Sequence, residues 1–225
     1  MEYPAPLFNM DHTLDYIVNK YQLKFGRREH IVTIPNMGRV QLAQLFAELE
    51  FIKGAEIGVL EGGYSEVLCQ ANPKFRLFSI DPWKASAFEP DQTGIYSQPQ
   101  FDAFFKIAKK RLSKYNCQII KKESLKAAAD FADESLDFVY IDGNHDFINV
   151  ANDLHTWQKK VKAGGIVSGH DYFNFPSYHR NHVKRVLLAY TLSYGIKPLF
   201  IVGADAVRQR GVIRDHFRSW FWVKT

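Results

Sequence analysis

Residues 55–68 read AEIGVLEGGYSEVL. The apolar run from Ala55 to Leu60 has the length and composition of a buried strand, Gly62 and Gly63 turn the chain, and an amphipathic stretch begins near Tyr64 or Ser65. Strand, glycine turn and helix in that order open a βαβ unit, so an α/β protein with a mostly parallel sheet is expected. Glycines let the backbone approach a ligand closely, and a helix starting there presents free N–H groups and the positive end of its dipole.

The same alternation continues outward. Further strands are expected at Arg76 to Ile80, Gln118 to Lys121, Leu136 to Ile141, Gly165 to Ser168, Pro198 to Val202 and Ser219 to Val223. Between them the helical period recurs, with Phe101, Phe104, Phe105, Ala108 and Leu112 on one face, then Val150, Leu154, Trp157 and Val161, then Val183, Val186, Leu187 and Tyr190. Gly164 and Gly165 are read as the stop of the second of these helices. Residues 1–53 differ: a helix at about 39 to 52 follows an aromatic, proline-bearing stretch, which reads as a helical cap or lid on a domain spanning 54–225. Residues 86–100 form a long loop, and such loops are commonly functional.

A dinucleotide-binding turn wants glycines at its first, third and sixth positions, whereas here Gly58 is followed by Leu60 and then Gly63. The pattern is instead Glu56-x-Gly58-x-x-x-Gly62, which resembles the first motif of class I S-adenosylmethionine-dependent methyltransferases. That resemblance implies a seven-stranded Rossmann-like sandwich, helices on both faces, closed by an antiparallel pair from GIKPLFIVGAD and RSWFWVKT. It also implies that Glu56, Gly58, Gly62, Gly63, Tyr64 and Ser65 surround the methionine part of the cofactor. Asp81, followed by Pro82 and Trp83, ends the next strand, where a carboxylate can accept both ribose hydroxyls; its plainer reading is a turn-forming Asp before proline. Glu123 and Ser124 would bracket the adenine, Ser124 reading equally as a helix N-cap, and Asp142 would complete the cofactor wall.

Residues 136–147, LDFVYIDGNHDF, and 164–173, GGIVSGHDYF, are both apolar runs that end in Asp, His and Gly. Neighbouring parallel strands finish at one edge, so Asp142, His145, His170 and Asp171 should meet there. Transfer of a methyl group to oxygen needs a group that removes the acceptor's proton and one that stabilises the oxyanion. An Asp or His serves the first; a divalent cation such as Mg2+ on carboxylates serves the second. The paired endings YIDGxH and GGxxxGHD resemble those of a small-molecule O-methyltransferase family over about 54–225. In related macrolide-sugar and catechol-type enzymes acids at these strand ends bind magnesium or act as base, which implies Asp142 and Asp171 as metal ligands or base. This chain carries His170 where those relatives have a second acid, so ion and proton both stay open. Enzymes that methylate amino groups of bases or amides typically follow this acid with two prolines, and IDGNHDF has none.

The expected acceptor is a small hydroxylated molecule, a sugar or secondary metabolite, with Phe8, Tyr16, Phe173, Phe175 and Tyr178 as candidate pocket walls. The 225 residues are 46% hydrophobic and 24% charged, as in ordinary globular proteins, with no apolar stretch near the length of a membrane span. Cys69 and Cys117 lie in no metal-type spacing, and a cytoplasmic protein is expected. The net charge of +5 comes partly from lysine clusters at 109–114, 121–122 and 159–162. These read as solvated helix faces, since no aromatic residues interleave with them, and nucleic acid is not the expected partner. RNA binding or modification, and a cofactor-binding protein or metal-dependent enzyme of other chemistry, are the rival readings. The sequence leaves the oligomeric state open, a homodimer among the options.

Overall fold

The computed structural model describes residues 10–26, 28–85, 96–174, 181–203 and 217–225. In chain order the elements are α1 (Met10–Lys20), β1 (Ile31–Ile34), α2 (Arg39–Glu48), β2 (Lys53–Ile57), α3 (Gly63–Ala71), β3 (Arg76–Ile80), α4 (Gln98–Leu112), β4 (Cys117–Ile120), α5 (Ser124–Ala128), β5 (Leu136–Ile141), α6 (Phe147–Lys160), β6 (Val161–Gly169), α7 (Val183–Ser193), β7 (Leu199–Val202) and β8 (Ser219–Val223). Candidate pocket walls Phe8, Phe175 and Tyr178, and most of the loop at 86–100, lie outside the described residues.

One sheet of order β1-β7-β8-β6-β5-β2-β3-β4 forms the centre. All neighbours are parallel except β8, which runs antiparallel to both β6 and β7. The sheet is the expected one with an eighth strand: Ile31–Ile34 pairs with Leu199–Val202 and buries Val32 and Ile34. Residues assigned to a helical cap thus contribute a strand, and α1 and α2 lie against the sheet.

β5 is buried on both faces, as the central strand of a covered parallel sheet must be. Its side chains alternate: Val139 and Ile141 pack with Leu154, Trp157, Leu187 and Trp220. Phe138 and Tyr140 pack with Phe46, Leu68 and Phe221 on the other side. The Phe138 ring stacks on Phe46 at 4.3 Å between centroids. A smaller cluster of Val59, Trp83, Phe101, Ala108 and Leu112 fixes α4 beside the glycine turn. Val161, expected on a helix face, instead takes an extended backbone and opens β6, because its burial comes from pairing with Leu136.

Candidate active site

The parallel strands β2 to β6 all finish at one edge, and Gly58 sits in its middle. Its φ of +87° lies in the left-handed region, and a Cβ there would overlap the Asp142 carbonyl, so only glycine fits. The Gly58 N–H donates to Ile80 O at 2.9 Å, and the Asp142 N–H donates to Ile57 O at 2.7 Å. The glycine turn is therefore laced to the ends of both neighbouring strands.

Asp81 holds the turn as well. Its Oδ2 accepts the N–H groups of Val59 at 2.9 Å and Leu60 at 3.0 Å, and its Oδ1 accepts the Trp83 N–H at 2.7 Å. A carboxylate offers about four lone-pair sites, and these three bonds take most of them. Trp83 is fully buried and its indole N–H donates to Leu60 O at 2.7 Å, which makes it an anchor of the turn. Pro82 stays on the rim, lining a basic cavity of about 540 Å³ with Lys84, Lys121, Lys122, Glu123 and Lys126.

Beneath the turn Ser65 donates to Glu56, and its hydroxyl shares a hydrogen bond with Ser79 at 2.6 Å. Burial pushes the Glu56 carboxyl well above its ordinary range despite the Ser65 bond. Both side chains support α3 from inside; what α3 offers a ligand is its N-terminal backbone at Gly63, Tyr64 and Ser65, where Gly62 is the N-cap at φ +77°. Ser124 is likewise committed: it donates to Asp153 at 2.5 Å and accepts the Trp157 indole N–H at 2.8 Å. Glu123, not Ser124, is the N-cap of α5, and its exposed carboxylate pairs with Lys126 at 2.7 Å.

The acids and histidines of the two strand ends come together. His145 Nε2 lies 2.9 Å from Asp171 Oδ2, and His170 Nδ1 lies 3.5 Å from the same oxygen and 3.7 Å from Asp142 Oδ1. The His182 N–H donates to His145 O at 2.9 Å and so pins that residue from the start of α7. Asp171 itself sits at φ +63°. Two residues that sequence reasoning passed over belong here. Asp153 backs the Ser124 side chain, and Arg39 opens α2 beside Tyr64, its charge reaching Glu56, Asp142 and His170.

A family model described as a methyltransferase domain matches residues 55–172, the span from the first strand of this edge to the second acid and histidine cluster. The chain belongs to the methyltransferase-domain family. It is a methyl-transferring enzyme. A comparison with curated protein sequences gives no match. Among solved structures, the O-methyltransferase TomG from Streptomyces achromogenes, in complex with S-adenosylmethionine, shares 16% identity at a TM-score of 0.55, covering 100% of this chain and 92% of that one. An O-methyltransferase from Bacillus cereus in complex with S-adenosylhomocysteine shares 14% identity at 0.54, covering 98% and 92%. The precorrin-6y C5,15-methyltransferase from Geobacter metallireducens shares 12% at 0.55, covering 83% and 87%. At such identities the likeness is one of fold.

The electrostatics of this methyltransferase divide its cluster into unlike parts. Burial works to raise the Asp171 carboxyl, yet the His145 and His170 imidazoles beside it outweigh this and hold the group well below the usual carboxylate range. Asp142 goes the other way, because its burial outweighs the attraction of the same two imidazoles. His170 is opposed by burial but raised by its bond to Asp171 and the charge of Asp142. Its Nε2 is buried with no hydrogen-bond partner among the described residues. Ligand atoms of Asp142, His170 and Asp171 lie within 4.8 Å of one another, a donor set and spacing that fit a divalent cation.

Proposed function

We propose that this methyltransferase uses S-adenosylmethionine to methylate an oxygen of a small hydroxylated molecule. One observation carries the reading: the Asp142 main chain is bonded to Ile57, so the glycine turn and the Asp and His cluster are joined at a single point of the sheet edge. A ligand cradled by the turn lies beside a group able to take a proton.

Bound S-adenosylmethionine supplies an electrophilic methyl group on a sulfonium sulfur. The backbone of Gly58, Gly62, Gly63 and Tyr64 would hold its methionine part, and Asp81 would accept from its ribose. Asp142 would accept the proton of the acceptor hydroxyl as that oxygen bonds to the methyl carbon and the methyl–sulfur bond breaks, its electron pair leaving on the thioether sulfur of S-adenosylhomocysteine; a carboxyl raised by burial is a better proton acceptor than an exposed one. Asp171 stays ionised and holds His145 and His170 in place around it. Were a divalent cation bound by Asp142, His170 and Asp171 instead, it would supply charge that lowers the acceptor's pKa, and Asp142 would then serve as a ligand rather than as the base. The cationic clusters weigh against RNA: Arg111 and Lys114 face Glu66, Lys122 faces Asp130, Lys160 faces Asp133 and Lys162 faces Asp137.

Asp142→Asn should abolish turnover while calorimetry still records binding of S-adenosylmethionine or S-adenosylhomocysteine. Undiminished methyl transfer by this variant overturns the role of Asp142. Absence of binding of either ligand to the natural chain overturns the reading as a whole.

A further inference from the structure

The methionine part of S-adenosylmethionine ends in an α-carboxylate, and burying such a group beside an acidic cluster demands a cation. Asp142 and Asp171 both stand at this edge, and Glu56 lies under the turn. The only positive features that the turn itself provides are backbone N–H groups at the start of α3.

Arg39 supplies a fixed charge at this place. It is the first residue of α2, after the extended N-cap Gly38, and α2 is seated by the buried side chains of Leu42, Leu45 and Phe46. The Arg39 guanidinium carbon lies 5.7 Å from the centroid of the Tyr64 ring. The Tyr64 hydroxyl donates to the Arg39 carbonyl at 3.0 Å, and the same ring packs against Tyr140 at 4.2 Å. One aromatic ring thus ties Arg39 to the first turn of α3 and to the strand that ends in Asp142. The Arg39 side chain is half-buried.

We propose that Arg39 binds the α-carboxylate of the cofactor's methionine part, with Tyr64 as the residue that positions it. This rests on the reading of the chain as an S-adenosylmethionine-dependent enzyme. A guanidinium presents paired donors to a carboxylate, which a lysine cannot match, and the Tyr64 ring limits the orientations it adopts. The Arg39 assignment also gives the N-terminal residues a part in the chemistry, since α2 lies outside the 55–172 span of the family match.

The test compares two ligands by calorimetry. S-adenosylhomocysteine carries the amino-acid part; 5′-methylthioadenosine keeps the adenosine and the thioether but lacks it. The natural chain should bind S-adenosylhomocysteine the more tightly. In Arg39→Gln its affinity should fall on the order of tenfold to a hundredfold, as expected for a charge-assisted pair, with methylthioadenosine affinity unchanged. Arg39→Lys should fall between. Retained methylthioadenosine binding also reports that each variant is folded. Equal losses for both ligands in both variants, or no loss for either, overturn the role of Arg39 while leaving the cofactor reading intact. A natural chain that binds neither ligand overturns that reading, and the Arg39 assignment with it.

Discussion

The imidazole of His145 and the carboxylate of Asp171, both buried, face each other at 2.9 Å across the ends of β5 and β6. Asp171 adopts a left-handed backbone that asparagine also tolerates, so Asp171→Asn removes the charge with little change in main-chain strain. Leaving the two imidazoles without this partner should destabilise the fold by about 3 kcal/mol at pH 6, read from denaturant unfolding. His170 should then titrate at a lower pH by NMR, since burial would be opposed by Asp142 alone. An unchanged His170 titration would show that Asp171 does not govern it.

Chelation tests what the cluster holds. If Asp142, His170 and Asp171 bind a cation, dialysis against a chelator should abolish methyl transfer and leave the far-UV spectrum unchanged. An imidazole in the set favours Mn2+ or Co2+ over Mg2+ in restoring activity. Full activity after chelation would leave the cluster a device for moving a proton only.

Asp153 gives the fold a pH dependence. Burial raises its carboxyl to about 6 from an ordinary 3.8, against the Ser124 bond. The folded state therefore holds this proton more tightly than the unfolded one, and the contribution is full below the unfolded value and lost as pH rises through about 6. The loss should come to roughly 2 kcal/mol between pH 4 and pH 7. Asp153→Asn keeps an acceptor for Ser124 and should flatten this slope in urea titrations; an equal slope in the variant would remove Asp153 as its source.

Gly58→Ala forces a side chain into left-handed backbone and against the Asp142 carbonyl. A loss of at least about 2 kcal/mol in stability is expected. Cofactor affinity should drop with it, because the turn and the end of β5 must separate. A variant as stable as the natural chain would show that this edge yields more easily than its hydrogen bonds imply.

Much of this architecture is legible from the chain because its central strands are continuous apolar runs. Arg76–Ile80, Leu136–Ile141 and Ser219–Val223 are read to the residue. Ile31–Ile34 escapes because it is four residues long and buries only two of them, a pattern shared with many loops. The meeting of Asp142, His145, His170 and Asp171 follows from strand order alone. What strand order cannot convey is which side chains are already taken. Asp81 is spent largely on the turn, Ser124 on Asp153 and Trp83 on the interior, and each of these bonds joins residues distant in sequence. Arg39 is hidden for the same reason, since the Tyr64 ring it meets lies on another element.

The antiparallel strand β8 also governs the order in which the sheet can be assembled. It lies between β6 and β7, and β1 joins the sheet only through β7. As the chain is synthesised, β2 to β6 can pair among themselves as they emerge, while Ile31 waits for Leu199 and that pair waits for Ser219–Val223. Until residues 219–223 have emerged and paired, the outer edge of β6 stays open, and a chaperone or a neighbouring nascent chain can reach it.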